Sequence, residues 1–195
     1  ALATGAKVAA LLELLHKNPE EKKLLFVRFH DTLDLLDQTL RADGIAFVRF
    51  DGSMSGPQKD AAIETFRNQV PVLLSTESGG EGRNLQFCNT MINFDLPWNP
   101  QTIEQRIGRI HRIGQTRDVF VFNLVTRDTI EEKILHILDE KINMFELVVG
   151  EIQAILGAME EEHDFTNLVL AAWLQTTAES RAQAFDTLGD KLLQA

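Results

Sequence analysis

The chain has 195 residues, 44% of them hydrophobic and 25% charged, which is the composition of a globular domain with one sizeable core. It lacks an apolar run near the roughly 20 residues that span a bilayer, and its only cysteine, Cys88, excludes an internal disulfide and a multi-cysteine zinc site. The net charge of −10 belongs to residues 128–195, which hold fourteen acidic and four basic residues, whereas residues 1–127 hold fifteen of each. Because the first part is neutral, a local basic patch there can bind an anion.

Predicted strands and helices alternate along the first 125 residues. Short apolar runs bounded by turn residues predict strands at 23–29, 45–50, 70–75, 90–94 and 119–125. Apolar residues at helical spacing predict helices at about 9–18, 31–40, 57–67, 100–112 and 129–148, with Asp31 and Thr32 as the cap of the second one. This alternation is typical of the α/β class, with βαβ units around a parallel sheet that binds ligands at the carboxyl ends of its strands.

Beyond Gly150 the pattern is helical only. Apolar residues recur at helical spacing from Ile152 to Leu192, without a strand signal between them. We therefore predict two parts, an α/β domain at 1–150 and an acidic α-helical appendage at 151–195.

The most distinctive stretch of the chain, residues 105–115, reads QRIGRIHRIGQ and contains three arginines and no acidic residue. On a helix, Gln105, Arg109 and Arg112 share one face. Another face, suited to packing on a sheet, carries Ile103, Ile107 and Ile110. Arginine donates hydrogen bonds in a planar fork and stays charged, so the pattern indicates a phosphate-binding face. The alternative is a solvated basic face with surface ion pairs.

Two loops that follow predicted strands are further candidates. Residues 75–84 read STESGGEGRN and offer backbone N–H groups to an anion, although Glu77 and Glu81 oppose a bare phosphate. Residues 95–100 read DLPWNP, where two prolines fix the backbone. Trp98 in this segment either belongs to the core or stacks on a nucleic-acid sugar or base.

Several types of site are missing from the sequence. It contains no G-x-x-x-x-G-K-[ST] loop to cradle phosphates, and no acidic pair follows a buried strand to hold Mg²⁺. The histidines lack metal-ligand spacing and no Ser/His/Asp arrangement is visible, so we predict no metal site. The chain therefore has arginines suited to phosphate but no means of holding a nucleotide by itself.

Five blocks in the correct order resemble motifs of the Swi/Snf-type ATPases of helicase superfamily two. Residues 105–115 are similar to motif VI, 75–85 to motif V, 98–101 to its extension, 52–67 to motif IVa and 23–40 to motif IV. The sequences GGEGRNLQ and DLPWNP are most similar to the bacterial, RapA-like branch. The likeness covers about residues 23–138 and implies the second, C-terminal RecA-like lobe, since the motifs of the first lobe are missing here.

The resemblance implies a role for each matching residue. ATP with Mg²⁺ is expected between two lobes and held mainly by the first, with Arg112 as the arginine finger, Arg109 assisting and Gln105 ordering the site. Arg106 lies off that face and is interpreted as structural or in contact with acidic residues. The residues implied to lie near the nucleotide are Gly80, Glu81 and Gly82. The residues implied to contact the DNA backbone are Gly52, Ser53, Ser75, Thr76 and Trp98.

The implied activity is ATP-dependent translocation along double-stranded DNA, in which ATP binding closes the cleft between the lobes and hydrolysis opens it. The lobe alone is not expected to hydrolyse ATP, and the start at Ala1 without Met favours a fragment. The expected partners are the first RecA-like lobe of the same protein and the duplex DNA backbone, with no membrane. The single cysteine favours a reducing compartment, and the expected location is cytoplasmic, at the bacterial nucleoid.

Alternatives remain open for the whole chain and for its tail. One is a complete, non-enzymatic DNA- or protein-binding module with the helicase-lobe fold. Another is a strand-separating RNA helicase, which the sequences WNPQ and RIGQ disfavour. The predicted helix at 129–148 fits the bracing helix of the family. Residues 151–195 match no motif and are interpreted as a packing appendage, a brace, an autoinhibitory element or a docking site for a protein partner.

Overall fold

The computed structural model describes residues 5–76, 85–111, 117–141 and 162–194. Within these ranges the strands are β1 (Lys23–Val27), β2 (Phe47–Phe50), β3 (Val72–Thr76), β4 (Thr90–Asn93) and β5 (Phe120–Asn123). The helices are α1 (Ala6–Lys17), α2 (His30–Ala42), α3 (Gly56–Asn68), α4 (Pro100–Ile110), α5 (Ile130–His136), α6 (Glu162–Trp173) and α7 (Ala178–Gln194). A π-helical segment, Ile137–Lys141, continues α5.

All five strands pair in parallel, in the order β2-β3-β1-β4-β5. Phe26 on β1 lies opposite Ser75 on β3 and Asn93 on β4, and Asn93 lies opposite Asn123 on β5. The predicted parallel sheet with flanking helices is confirmed. Because the strands are parallel, their carboxyl ends meet at one edge of the sheet, and the segments that follow them start from that edge.

The central strand β1 is buried along its whole length, as its sequence KLLFV predicts. Its successive side chains alternate between two cores on opposite faces of the sheet. The core that includes residues of α1 and α2 contains Leu25, Val27, Leu11, Leu36 and Leu40. The core that includes residues of α3 and α4 contains Leu24, Phe26, Phe66 and Ile110. The nearly continuous apolar run therefore forms a strand whose two faces both pack in a hydrophobic core.

The predicted cap of α2 is wrong. The helix begins at His30, and Phe29 occupies the N-cap position in an extended conformation without a side-chain hydrogen bond. Only two residues separate the end of β1 from α2, so Asp31 and Thr32 are drawn into the first helical turn. There the carboxylate of Asp31 lies near the positive end of the helix dipole, which favours it without the geometry of a cap.

The chain divides into two compact units. The first comprises Ala1–Asp95 and Arg106–Leu124 and contains the whole sheet. The second comprises Leu96–Gln105 and Val125–Ala195, so the helix α4 is shared between them. The predicted boundary after residue 150 lies outside the described residues and stays a prediction, as does the predicted helix beyond Lys141.

The helices predicted beyond Gly150 are present in the described part of the second unit, as α6 and α7. The Trp173 and Phe185 rings join them edge to face at 6.5 Å, and the Arg181 guanidinium lies 4.8 Å from the centre of the Trp173 ring. No helix in the described ranges is long and apolar enough to cross a membrane. The same ranges contain no group of three His, Cys, Asp or Glu side chains arranged to hold a metal ion.

Candidate functional site

The carboxyl edge of the sheet gives rise to the segments that the sequence singled out. β2 leads into a turn that begins at Asp51, and β4 leads through Asp95 towards α4. β3 leads into residues 77–84, which lie outside the described residues. Three segments therefore start from the same edge of the sheet. They are the turn predicted to contact DNA, the glycine-rich loop, and the segment before the arginine helix.

The turn after β2 is held by Asp51, a carboxylate that is only 3% exposed. It accepts hydrogen bonds from the Ser53 N–H at 2.9 Å, the Ser53 hydroxyl at 2.5 Å and Arg49 Nε at 2.8 Å. Arg49 also donates to Asp34 of α2 at 2.6 Å, which ties the turn to that helix. Gly52 and Ser53 are exposed. Because Ser53 already donates its hydroxyl proton to Asp51, this hydroxyl offers a ligand its oxygen lone pairs.

Two opposing effects act on the pKa of Asp51. Burial raises the pKa, because desolvation disfavours the charged form, but hydrogen bonds from Ser53 and Arg49 outweigh burial and lower the pKa to about 2. The ordinary value is 3.8. A lowered pKa contributes stability to the folded state above the ordinary value, and this contribution is lost as the pH falls towards 2.

Asp51→Asn is therefore expected to lower the free energy of unfolding by about 2 kcal/mol at pH 7, and by about half as much at pH 3. Urea unfolding of the wild-type chain and the variant at both pH values measures the difference. Glu13→Gln is the control, because Glu13 pairs on α1 with Lys17 and the two side chains are 71% and 65% exposed. An exposed pair of this kind contributes well under ~1 kcal/mol. Equal losses in the two variants would contradict the role given to the buried carboxylate.

The two residues at the end of β3 that were predicted to contact DNA are both buried. Ser75 is 0% exposed and Thr76 is 4% exposed, and the Ser75 hydroxyl donates to the Thr76 carbonyl oxygen at 2.9 Å. Neither side chain is accessible to a phosphate in this conformation, so their DNA contact stays a prediction that requires a rearrangement at the end of β3. The residues predicted near the nucleotide, Gly80, Glu81 and Gly82, lie outside the described residues.

Helix α4 has the two faces that the sequence predicted. Gln105 is exposed and Arg109 is partly exposed, whereas Ile103 and Ile110 are fully buried and Ile107 is partly buried against the core that contains Ile110. The predicted arginine finger, Arg112, lies outside the described residues. The described part of the helix therefore brings Gln105 and Arg109 onto one accessible side, and the place of Arg112 beside them stays a prediction.

The carboxyl-terminal turn of α4 is fixed to the chain that follows the glycine-rich loop. The Leu85 N–H donates a hydrogen bond to the Arg109 carbonyl oxygen at 3.1 Å. Leu85 and Ile110 are both buried in the same core. Leu85, the last residue of the predicted motif V, is thus bonded to the turn of α4 that carries Arg109 of the predicted motif VI.

Arg106 has a larger role in the site than the sequence indicated. It is 3% exposed, and its Nη1 donates to Asn93 Oδ1 at 2.6 Å and to the Asp95 carbonyl oxygen at 3.2 Å. Its guanidinium also lies 4.7 Å from the centre of the Phe26 ring. The structural interpretation of Arg106 is confirmed. The sequence feature that could have revealed this role is an asparagine in each of two apolar strands, Asn93 and Asn123. The side chains of these two residues form a hydrogen bond of 2.8 Å.

The segment between β4 and α4 is largely buried. Leu96 is 1% exposed and Asn99 is 8% exposed, while Trp98 between them is partly exposed. The Asn99 carbonyl oxygen accepts the Thr102 N–H at 3.1 Å at the start of α4. Trp98 is therefore neither fully buried nor fully exposed, and its contact with DNA stays a prediction.

Comparison with known protein families identifies the family to which this chain belongs. The model of the helicase conserved C-terminal domain matches residues 6–114, more than half of the chain. The chain belongs to this helicase family. The matched residues include strands β1–β4 and the whole of α4, so the match covers both the sheet and the described part of the arginine helix.

Known ATP-dependent helicases contain a similar lobe. YqhH of Bacillus subtilis, an uncharacterized ATP-dependent helicase, is 47% identical over 163 residues, which are 82% of this chain and 29% of YqhH. The SWI2/SNF2 ATPase core of Sulfolobus solfataricus, solved in complex with dsDNA, is 30% identical with a TM-score of 0.58, over 72% of this chain and 30% of that one. The C-terminal part of the Fun30 ATPase domain is 36% identical with a TM-score of 0.61, over 66% of this chain and 43% of that one.

These similarities confirm the predicted likeness to Swi/Snf-type ATP-dependent helicases. The RapA-like branch within that group stays a prediction. This helicase lobe spans less than a third of YqhH and of the Sulfolobus core, so what those proteins do as a whole is not thereby established for it.

The helicase lobe has only some of the groups that bound ATP requires. Arg109 offers a partly exposed guanidinium, which suits phosphate oxygens, on a helix whose backbone is held by Leu85. The sequence has no phosphate-cradling loop with its lysine, and the described residues hold no cluster of metal ligands for Mg²⁺. The residues present fit a phosphate that is held by another domain and approached by α4.

Proposed function

We propose that this chain is the second motor lobe of a Swi/Snf-type, ATP-dependent translocase on double-stranded DNA. The observation that supports this best is helix α4, where the accessible Gln105 and Arg109 lie beside the buried anchor Arg106. Arg112 follows two residues after the end of α4 at Ile110, and its place beside Arg109 is part of this proposal. The similarity to a SWI2/SNF2 ATPase core solved with dsDNA supports duplex DNA as the partner.

In this proposal α4 supplies positive charge to a nucleotide that the first RecA-like lobe of the same protein holds with Mg²⁺. Arg112 acts as the arginine finger on the γ-phosphate, Arg109 assists it and Gln105 orders the site. The bound ATP supplies the phosphoanhydride bond whose hydrolysis drives the motor. The guanidinium groups offset the charge that develops on the phosphoryl oxygens, an effect of roughly 10³–10⁵-fold in related phosphoryl transfers. The glycine-rich loop, with Gly80, Glu81 and Gly82, lines the same cleft.

The DNA contacts are assigned to segments that start from the carboxyl edge of the sheet. Gly52 and Ser53 are exposed on a turn that Asp51 fixes, so the turn can meet one DNA strand, and Ser53 donates to a phosphate when its hydroxyl turns away from Asp51. Trp98 meets the backbone from the segment before α4, and Ser75 and Thr76 join when the end of β3 opens. Contacts of this kind position a protein on DNA without reading its sequence, which suits a motor that moves along any duplex.

The acidic C-terminal part is proposed as the docking site for a protein partner. The acidic tail, residues 151–195, carries eight acidic and two basic residues, which favours a basic partner surface. We assign the protein to the RapA-like bacterial branch and to the nucleoid, where its DNA track lies.

Displacement of a third DNA strand tests the proposed activity. The full-length protein is expected to displace a triplex-forming oligonucleotide from a duplex when ATP is present, because a translocating motor pushes the third strand off its track. The same protein should leave the underlying duplex paired, and this 195-residue chain alone should not hydrolyse ATP. ATP-dependent strand separation of a plain duplex, without triplex displacement, would instead identify a strand-separating helicase.

A non-enzymatic DNA- or protein-binding module is the second candidate, because the chain itself lacks a phosphate-cradling loop. This candidate predicts that the full-length protein binds DNA or a protein partner but hydrolyses no ATP, with or without DNA. DNA-stimulated hydrolysis by the full-length protein would exclude it.

A further inference from the structure

Three polar side chains, the buried Asn93 and Arg106 and the partly exposed Asn123, form a chain of hydrogen bonds at α4. Asn93 is 0% exposed near the end of β4, and its Nδ2 donates to Asn123 Oδ1 on the neighbouring strand β5 at 2.8 Å. Because that donor is committed to Asn123, Asn93 Oδ1 faces the guanidinium of Arg106 and accepts its Nη1 at 2.6 Å. Each bond thus fixes the direction of the next, from β5 through β4 to the helix.

The planar guanidinium of Arg106 is held from more than one side. Its Nη1 also reaches the Asp95 carbonyl oxygen at 3.2 Å, and its plane lies 4.7 Å from the centre of the Phe26 ring on β1. Helical side chains point back towards the start of their helix, which is how Arg106 reaches the strand ends from the middle of α4. The two hydrogen bonds from Nη1 and the contact with the Phe26 ring favour one orientation of the guanidinium, so they restrain the rotation of α4 about its own axis.

Stability alone does not require this arrangement. Asparagine is depleted in strands, and a buried guanidinium loses its hydration. Apolar residues at the two buried positions, 93 and 106, would fill the core without either cost. The hydrogen-bonded chain instead fixes the orientation of the Arg106 side chain, because apolar packing permits small rotations that directional hydrogen bonds do not.

We propose that Asn93 and Asn123 lock Arg106, and that Arg106 thereby sets the rotation of α4 that aims Arg109 and the residues after it at the nucleotide. Arg106 is a positioning residue in this account and does not touch the nucleotide itself. The inference rests on the proposed function for the aim of Arg109, whereas the lock on α4 rests on the contacts above. The hydrogen bond between Leu85 and the Arg109 carbonyl oxygen ties the same turn of α4 to Leu85.

The test compares Arg106→Lys, Asn93→Leu and their double variant in the full-length protein. Lysine keeps the charge but loses the planar guanidinium, and leucine keeps the branching of the Asn93 side chain but loses both hydrogen bonds. Each single variant is expected to lower kcat for DNA-stimulated ATP hydrolysis by about tenfold or more, with KM for ATP within about twofold. The double variant should fall little further, because either change already releases the lock.

Two controls separate positioning from simple loss of stability. Leu36→Ala weakens the core on the other face of the sheet, and at a temperature well below its Tm it should keep kcat. Asn93→Asp keeps an oxygen acceptor for Arg106, and a rotated Asn123 amide can donate to it, so this variant should recover most of the wild-type kcat.

Hydrogen exchange in the nucleotide-free protein gives a readout that does not depend on catalysis. Amides of residues 106–111 should exchange faster in Asn93→Leu than in the wild type, and should be unchanged in Leu36→Ala. Unchanged exchange of these amides in Asn93→Leu would overturn the proposal. So would a wild-type kcat in both Arg106→Lys and Asn93→Leu, the result expected of Leu36→Ala. If Arg109→Ala also keeps full ATPase activity, it is the proposed function that is wrong. The hydrogen-exchange result then decides by itself whether Asn93 and Asn123 hold Arg106 in place.

Discussion

Replacing Arg112 or Arg109 by alanine in the full-length protein is expected to abolish most of its DNA-stimulated ATP hydrolysis, with a loss of roughly 10³-fold or more for Arg112→Ala. The reason is electrostatic: each replacement removes one of the two guanidinium groups that this lobe is proposed to bring to the charge that develops on the phosphoryl oxygens. Because Arg109 is partly exposed, the fold should survive its replacement, with little change in Tm. A steady-state ATPase assay at saturating DNA measures the effect.

Two further variants make that result specific. Arg41→Ala removes an arginine that is 69% exposed and pairs with Asp37 on α2, so it should leave the rate unchanged. Arg109→Lys keeps a charge without the fork and should retain only part of the activity, since lysine cannot hold two phosphate oxygens in one plane. A normal rate in Arg112→Ala would remove the arginine-finger assignment, whatever the other variants do.

The largest expected effect on stability comes from Phe66→Ala. Phe66 is 0% exposed in the core that includes residues of α3 and α4, where its ring centre lies 5.3 Å from that of Phe87 and 5.9 Å from Lys22 Nζ. Removing the ring leaves a cavity and is expected to cost about 3–5 kcal/mol, enough to unfold a domain of ordinary stability in mild denaturant. Urea unfolding of the 195-residue chain measures the loss.

Phe120→Ala is the matched control for this change, because it removes the same ring from a residue that is 51% exposed on the edge strand β5. It should cost about 1 kcal/mol or less. Phe66→Leu, which refills part of the space, should recover a large share of the loss. Equal destabilisation by the two alanine substitutions would mean that Phe66 does not lie in the core.

The parts of the fold that could be predicted from sequence are those fixed by local periodicity. Leu33, Leu36 and Leu40 recur at helical spacing and are all 0% exposed on α2. The unbroken apolar run of β1 predicted a strand buried on both faces. The start of α2 was missed because it depends on the two-residue connection from β1, which the hydrogen-bonding preference of Asp31 cannot reveal.

The parts of the site that could not be predicted depend on which strands become neighbours. Arg106 bonds to a residue 13 positions away, and that residue, Asn93, bonds to one 30 positions away, Asn123. The spacing of these residues along the sequence does not predict either hydrogen bond, because both depend on the order of the strands in the sheet. The Arg49–Asp51 pair was within reach of sequence reasoning, since alternate residues of an extended chain point to the same side, whereas its link to Asp34 also required the packing of α2.

The position of β1 at the centre of the sheet has a consequence for how the protein is made. Its partners β3 and β4 begin at Val72 and Thr90, so the nascent chain exposes the apolar segment KLLFV long before either partner has been synthesised. Pairing over such distances in sequence is slow, and an unpaired apolar strand is prone to aggregate while it waits. Expression at low temperature, or together with a chaperone that shields apolar segments, should therefore raise the soluble yield more than any change in buffer.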